Sequence, residues 1–322
     1  MRTVCFCNGN IPWGGGEVWH LNAARSLARR GWRVLLLCRP ESEIHARALR
    51  EADITLIPFG LSRLAFLNPL THIRLAALFR TEKADALIMN LPSDVKAAAT
   101  AARSAGVRHV IYRRGSALEV RDSALNRFLY AKALTRVIVN STATREALLA
   151  RNPRLVEPER ISILPNGIDI PAFDAALDAV PAPEDRPAGS GWSGARRPVI
   201  LGNAGRLNRQ KGQHLLLHLL RMLLDKGLDA RLVIAGRGER EAELKALAGE
   251  LDLRERVDFV GFMDDLAPFW AEIDLFVLSS LWEGFGNVVI EAGLARKPVF
   301  AFAVSNLPEL VREGVNGRLF AP

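Results

Sequence analysis

The sequence predicts an α/β protein built from two doubly wound domains, and three observations carry that prediction. A chain of 322 residues is longer than one hydrophobic core usually organises, so two domains of roughly 150 residues are expected. Short, almost wholly apolar runs alternate with helical stretches in both halves, the pattern of parallel strands covered on both faces by helices. Between Pro171 and Pro198 the alternation stops: VPAPEDRPAGSGWSGARRP is rich in proline and glycine without apolar periodicity, and reads as a surface linker. The expected divisions are 1–170, 171–197 and 198–322.

In the first half TVCFCNG reads as a strand, followed by the glycine loop GNIPWGGG and a helix from about Glu17 to Arg30, ended by Gly31. RVLLLC follows at once, which makes a βαβ unit with the right-handed crossover of a parallel sheet. ITLIPF, ADALIMN, RHVIYRRG and RVIVNS continue as strands, with alanine-rich helices such as Val95–Ala105 between some of them. Residues 61–80, LSRLAFLNPLTHIRLAALFR, mix Arg63, Arg74 and Arg80 with leucine and phenylalanine. They read either as a core-facing helix or as an amphipathic surface for anionic lipid, with Pro69 breaking the pattern.

After the linker VILGNAG is a strand and glycine loop, HLLLHLLRMLLDKG a helix, ARLVIAGRG a strand and loop, and EREAELKALAGELDL a helix. VDFVGF, a helix around DDLAPFWAEI, DLFVLSS, a helix beginning near Asn287, PVFAFAV and a last helix near LPELVREG complete the half. Asn287 is a favourable N-cap residue type. In such sheets ligands sit in the loops at the carboxyl ends of the strands.

Composition narrows the classes. The apolar fraction of 49% and charged fraction of 24% are those of an ordinary soluble protein. No apolar run approaches a membrane span and MRTVCFCNGN lacks a signal-peptide core, so a cytoplasmic protein is expected. Cys5, Cys7 and Cys38 fit no zinc or redox spacing; Cys5 and Cys7 are expected on one face of a strand, buried and reduced. The net charge of +8 is uneven: residues 1–165 carry 25 Lys and Arg against 13 Asp and Glu, whereas residues 166–322 carry 18 against 22. The basic half points to an anionic lipid surface or an acidic acceptor; zinc-finger spacing, an RNP-type aromatic motif and a heptad-linked basic region are all lacking, so nucleic acid is not the expected partner.

Three loops carry candidate chemistry. Gly14, Gly15 and Gly16 precede a helix whose N-terminus suits phosphate or sugar. A dinucleotide fingerprint would need a third glycine where Trp19 stands and an acidic end to the second strand, where Arg39 and Pro40 stand; only an NADP reading through Arg39 survives, and it is disfavoured. GNAGRLNRQKGQ sets Arg206 and Lys211 beside Gly205 without a Walker pattern; a forked guanidinium and a point-charge ammonium suit a diphosphate. In SSLWEGFGNVVIEAG, Glu283 lies on the loop after a strand and Glu291 one turn into the next helix, with an anion-seeking helix N-terminus between them. Carboxylates for hydroxyls on either side of an anion site describe a nucleotide sugar.

These residues resemble the retaining GT-B glycosyltransferases of family 4. The resemblance rests on Glu283 and Glu291 in EGFGNVVIE, on GRLNRQKG, on LPNGID at 164–169, on VIAGRGE at 233–239 and on PELVREGVNGRL at 308–319, in this order; GGGE at 14–17 carries it with less force into the first half. It implies two Rossmann-like domains facing a cleft, the donor held mainly by the second and the acceptor by the first. Arg206 and Lys211 would bind the donor diphosphate and stabilise the leaving group, and Glu283 would face the transferred sugar. Glu291 would hold the ribose hydroxyls, Glu239 would lie near the base, and the amides of Phe285, Gly286 and Asn287 would reach the sugar hydroxyls or phosphate. Gly16, Gly205 and Gly236 would line the donor side and Gly15, Arg113 and Arg114 the acceptor side. The resemblance, together with the basic first half, implies transfer to a cell-envelope glycan or glycolipid; the charge asymmetry and the amphipathic reading of residues 61–80 favour peripheral placement on the inner face of the membrane. No cofactor is expected beyond the donor, and no metal, since Asp264 and Asp265 are adjacent rather than alternating.

Three departures qualify that inheritance. Where the family commonly carries a histidine this sequence has Arg113 and Arg114, either of which could face an anionic acceptor or the donor phosphate. Ser305 and Asn306 stand where glycines usually approach the sugar. The sequence stops at Pro322, short of the C-terminal helices that usually cross back to the first domain. A nucleotide-sugar epimerase of similar sheet pattern and a non-catalytic nucleotide-sugar binding protein are the rival readings; the epimerase does not account for the paired glutamates with their Arg and Lys partners.

Overall fold

The computed structural model describes residues 1–60, 65–181 and 197–322. The chain forms two compact units, Met1–Asn166 and Gly167–Pro322. The first unit holds seven parallel strands: β1 (Thr3–Asn8), β2 (Arg33–Cys38), β3 (Ile54–Pro58), β4 (Ala86–Met89), β5 (His109–Arg114), β6 (Arg136–Val139) and β7 (Ile161–Ile163), in spatial order β3-β2-β1-β4-β5-β6-β7. The second holds β8 (Val199–Ala204), β9 (Ala230–Ala235), β10 (Val257–Gly261), β11 (Leu275–Leu278), β12 (Val299–Phe302) and β13 (Gly317–Phe320), ordered β10-β9-β8-β11-β12-β13. Both are doubly wound Rossmann-like sheets, as predicted. Their strand order reverses between β1 and β4 and between β8 and β11, the points at which such sheets open a crevice for ligand.

The period of two along each strand divides the first core into two layers. Cys5, Cys7, Leu35 and Leu37 face one side with Leu75, Phe79 and Ala98, whereas Val4, Phe6, Val34 and Leu36 face the other with Leu21 and Ala24 of the helix Gly15–Arg29. Cys5 and Cys7 do share a face; all three cysteines are free and buried, and burial pushes the Cys5 thiol up to about 12 and the Cys38 thiol up to about 11.

Several expectations are corrected. Pro171 does not open a linker: Ile170–Asp178 is a helix, capped by Asp169, whose Oδ1 accepts from the Ala172 N–H at 3.2 Å, and its Phe173 and Leu177 pack on the core of the second unit. Its proline sits in the first turn, where the missing N–H costs nothing. The rest of the expected linker, 182–196, lies outside the described residues. Pro69 likewise starts a helix, Pro69–Thr81, behind the Asn68 cap instead of breaking one; Arg63 lies outside the described residues. The last expected helix shrinks to Leu307–Leu310, and the short strands β7 and β13, with the Ser141-capped helix Thr142–Leu149, are additions.

Candidate functional site

In the second unit four strand ends meet at the switch point. After β8, Gly205 turns with φ 158°, and the Lys211 side chain runs across it, 3.0 Å from where a Cβ would stand. Gly236 after β9, at φ 141°, lies against Gly205 so closely that a Cβ would fall 1.9 Å from the Gly205 carbonyl oxygen. Glycine is therefore required at both turns. Gly212, left-handed at φ 61°, leads into the helix Gln213–Asp225, and Ser279 Oγ donates to the carbonyls of Lys211 and Gly212 at 3.0 and 2.9 Å. The turn bearing Lys211 is thus tied to the end of β11.

The chemistry of this region centres on Glu283. Its Oε1 accepts from Lys211 Nζ at 2.6 Å and from Ser280 Oγ at 2.5 Å, and its backbone N–H donates to Ser305 Oγ at 3.0 Å. The side chains of Lys211 and Glu283 are 15% and 6% exposed, which makes this a largely desolvated ion pair, strong only because the carboxylate is also hydrogen-bonded. Beyond it Gly286, left-handed at φ 77°, precedes the helix Asn287–Leu294 as its N-cap. The expected cap at Asn287 is corrected here: Asn287 is the first helical residue, and glycine takes the cap because an L side chain there would be strained and would meet Leu307 Cδ2 at 2.9 Å. This cap offers no side-chain acceptor to the first turn, whose Val289 N–H donates to the Gly286 carbonyl at 2.9 Å, and the positive end of the helix dipole lies here. Asn306 Nδ2 donates to the Phe285 carbonyl at 2.6 Å and fixes the turn.

Glu291, one turn into that helix, is half-buried, its carboxylate with no hydrogen bond or ion pair among the described residues, and desolvation pushes its carboxyl up to about 7. Arg206 and Glu239 are exposed on the β8 and β9 loops, and the Arg206 carbonyl accepts from Gln213 Nε2 at 3.0 Å. The structure therefore gathers Gly205, Gly236, Lys211, Glu283, Phe285 and Gly286 into one cluster. Ser280, Ser305 and Asn306 are site residues the sequence reading missed or treated only as a departure; a hydroxyl beside Glu283 in sequence was the available signal.

A second polar cluster occupies the switch point of the first unit. Arg113, at the end of β5, is 3% exposed; it donates to Asn90 Oδ1 at 3.3 Å and to Asn166 Oδ1 at 2.6 Å, and its guanidinium lies 4.8 Å from the centre of the Trp19 ring. Asn90 also stands against Gly16, where a Cβ would fall 2.6 Å from Asn90 Nδ2. Gly16 and Arg113 are thereby joined through Asn90 near the N-terminus of the helix begun by Gly15. Arg113 packs with Trp19 on one face of the sheet. Arg114 turns to the other face, with Tyr112 and the Leu118 carbonyl, and does not join them. Beneath the glycine loop Asp94 accepts from the Gly9 N–H at 3.2 Å; burial pushes its carboxyl up to about 8. His20, fully buried beside Phe6 and Trp19, is held down to about 3 by burial and by the Arg113 charge, so its imidazole is neutral.

Among the described residues no three His, Cys, Asp or Glu side chains are placed to hold a metal ion, and no helix is long and apolar enough to cross a membrane.

A glycine-walled turn, a desolvated Lys–Glu pair and a glycine-capped helix N-terminus thus stand together at the reversal of a parallel sheet in a Rossmann-like α/β protein. The family described as Glycosyl transferases group 1 matches residues 194–322, and Glycosyltransferase Family 4 matches residues 13–171. The chain belongs to this glycosyltransferase family. It is similar to D-inositol 3-phosphate glycosyltransferase of Mycobacterium sp. (strain KMS), 30% identical over 68% of this chain and 49% of that protein. It is also similar to the lipopolysaccharide core biosynthesis glycosyltransferase LpsE of Rhizobium meliloti, 35% identical over 38% of this chain and 35% of that protein. Among solved structures, Anabaena HepE in complex with UDP and glucose superposes with a TM-score of 0.80 at 22% identity, over 100% of this chain and 86% of that one, a likeness of fold. The chain spans about half the length, or less, of the curated relatives it matches.

Proposed function

We propose that the protein is a retaining glycosyltransferase, working without a metal ion, that moves a hexosyl group from a UDP- or GDP-sugar to a cell-envelope lipid or polysaccharide acceptor. The observation that carries this reading is the Lys211–Glu283 pair at the carboxyl end of β11, beside the glycine-capped helix N-terminus at Gly286. Cleaving the anomeric C–O bond leaves charge on a diphosphate and an oxocarbenium-like sugar. Lys211, held by Glu283, together with Arg206 and the positive end of the helix after Gly286, supplies positive charge for the first. Glu283, fixed by Lys211 and Ser280, offers an anchored carboxylate to the second. Glu291, once ionised, accepts from the ribose hydroxyls. The names of the relatives and the UDP in the HepE structure support a nucleotide-sugar donor, and LpsE supports an envelope acceptor.

The test is transfer from a panel of UDP- and GDP-sugars, with and without EDTA, using wild type, Glu283→Gln and Lys211→Ala. Loss of one preorganised charge stabiliser is expected to cost about 10²–10³ in rate. Unchanged turnover in both variants, or no donor even hydrolysed, would sink the transferase reading, and inhibition by EDTA would sink metal independence.

Association with an anionic membrane follows from the helix Pro69–Thr81 and the turn before it. Leu75, Ala76 and Phe79 are buried, yet Leu67, Leu70 and Ile73 are 66, 59 and 60% exposed beside the exposed Arg74. Co-sedimentation with vesicles containing anionic lipid is expected to weaken in Leu70→Gln/Ile73→Gln; equal binding by both forms would dismiss this surface.

A further inference from the structure

We propose that a cavity in the first unit, on the sheet face opposite Arg113, receives the acidic group of an anionic acceptor sugar. The inference rests on the transferase reading for calling its ligand an acceptor. It also separates the two neighbouring arginines that sequence alone left equivalent.

The cavity has a volume of about 160 Å³ and lies between the first turns of the helix Pro92–Ser104, the end of β5, residues 119–121 and the segment 126–130. At about 30 Å³ per water it has room for about five waters, well beyond a single ion. It falls below the roughly 300 Å³ at which pockets for drug-sized ligands begin, so it suits an acidic group and the ring that carries it, with the rest of an acceptor outside.

Its walls are cationic. Lys96, Arg114 and Arg121 line it, and the only carboxylate in the lining, Glu119, already accepts from Arg151 Nε at 2.6 Å. Arg114 is 5% exposed and meets only neutral groups: the Tyr112 hydroxyl at 3.5 Å, the Tyr130 hydroxyl and the Leu118 carbonyl. Its Nε is buried with no hydrogen-bond partner, and among the described residues it has no carboxylate partner. A buried charge is costly unless it is paired and hydrogen-bonded, and a buried donor left unmade adds to that cost. Lys96 is half-buried, its ammonium 5.6 Å from the centre of the Phe66 ring, and it too has no carboxylate partner among the described residues. Burial raises both tyrosine hydroxyls, which keeps them protonated and able to donate. A forked guanidinium, an ammonium and two phenolic donors around one space match the oxygens of a phosphate or carboxylate. Neutral sugars would leave those cations uncompensated.

Binding is measured by calorimetry on the whole chain, without nucleotide sugar, using glucose 6-phosphate, glucuronic acid, glucose and inorganic phosphate as probes. At least one acidic sugar is expected to bind ten-fold or more tightly than glucose and than inorganic phosphate. Lys96→Gln and Arg121→Gln, at accessible positions, are expected to weaken it about ten-fold each, with Arg114→Gln weaker still and Arg114→Lys partly restoring it; thermal melts confirm that each variant is folded. Glucose binding as tightly as the acidic sugars overturns the proposal, as do inorganic phosphate binding as tightly as the sugar phosphate, binding unchanged by Lys96→Gln, and no binding of either acidic sugar. Acidic sugars held in a Lys96-dependent way by a protein that turns over no donor would refute the transferase reading alone. Transfer to neutral acceptors without acidic-sugar binding would refute this inference alone.

Discussion

Removing Lys211 tests whether the pair it forms with Glu283 is a coupled unit. In Lys211→Met the Glu283 carboxylate, 6% exposed, keeps only the Ser280 hydroxyl at 2.5 Å. Breaking a buried pair from one side costs about 3–5 kcal/mol, and because the lysine is 15% exposed we place this one near the lower figure, about 3 kcal/mol. For a unit of about 150 residues each kcal/mol shifts the melting temperature by about 2–4 °C, so a fall of about 6–12 °C is expected. Lys211→Met/Glu283→Gln removes both charges and lets a neutral amide bond Ser280, and its stability should return to within about 1 kcal/mol of wild type, a coupling of at least about 2 kcal/mol. Thermal melts of wild type, both single variants and the double variant give the cycle, and transfer assays run beside them. The double variant should be folded and inactive. Additive losses would refute the coupling, and a double variant that recovers activity along with stability would refute the chemical role.

Other outcomes follow from the same structure. Because the Glu291 carboxyl sits at about 7, it is mostly protonated at pH 6 and ionised at pH 8; donor affinity, read by calorimetry, should rise by at most about ten-fold across that interval and stay flat in Glu291→Gln. Asp94 releases its proton near the ordinary carboxylate value when unfolded but only at about 8 when folded, so the folded state binds more protons between those values and its stability falls as pH rises through them. Asp94→Asn should therefore stabilise the protein more at pH 9 than at pH 5 in urea titrations, and the reverse order would contradict the burial of a neutral Asp94. Gly236→Ala sets a Cβ 1.9 Å from the Gly205 carbonyl oxygen and should cost about 1–3 kcal/mol in stability; a neutral result would show that the two turns move apart freely.

Much of this protein was legible in one dimension because its strands are buried on both faces. RVLLLC became β2 with its predicted bounds, and Cys5 and Cys7 fell on one face, since a short, almost wholly apolar run set off by turn residues suits a strand covered on both faces. The errors cluster where a residue's meaning depends on position within an element. Pro69 and Pro171 looked like breakers yet sit in first helical turns, where proline is tolerated. Asn287 looked like a cap, but the left-handed geometry at Gly286 and the close approach of Leu307 assign the cap to glycine.

The sequence by itself determined the two doubly wound sheets, the family, and the residues gathered after β8 and β11, because apolar period and glycine placement are local properties of the chain. Tertiary structure alone decided which charges meet. Lys211 and Glu283 are 72 residues apart and become a pair only when β8 and β11 lie side by side. Arg113 and Arg114 are neighbours in the chain, but the alternation of a strand turns them to opposite faces. One is held by Asn90 and Asn166 and stacked on Trp19; the other lines a cationic cavity beside two tyrosines. Electrostatic pairing falls off with distance in space, and only folding sets those distances.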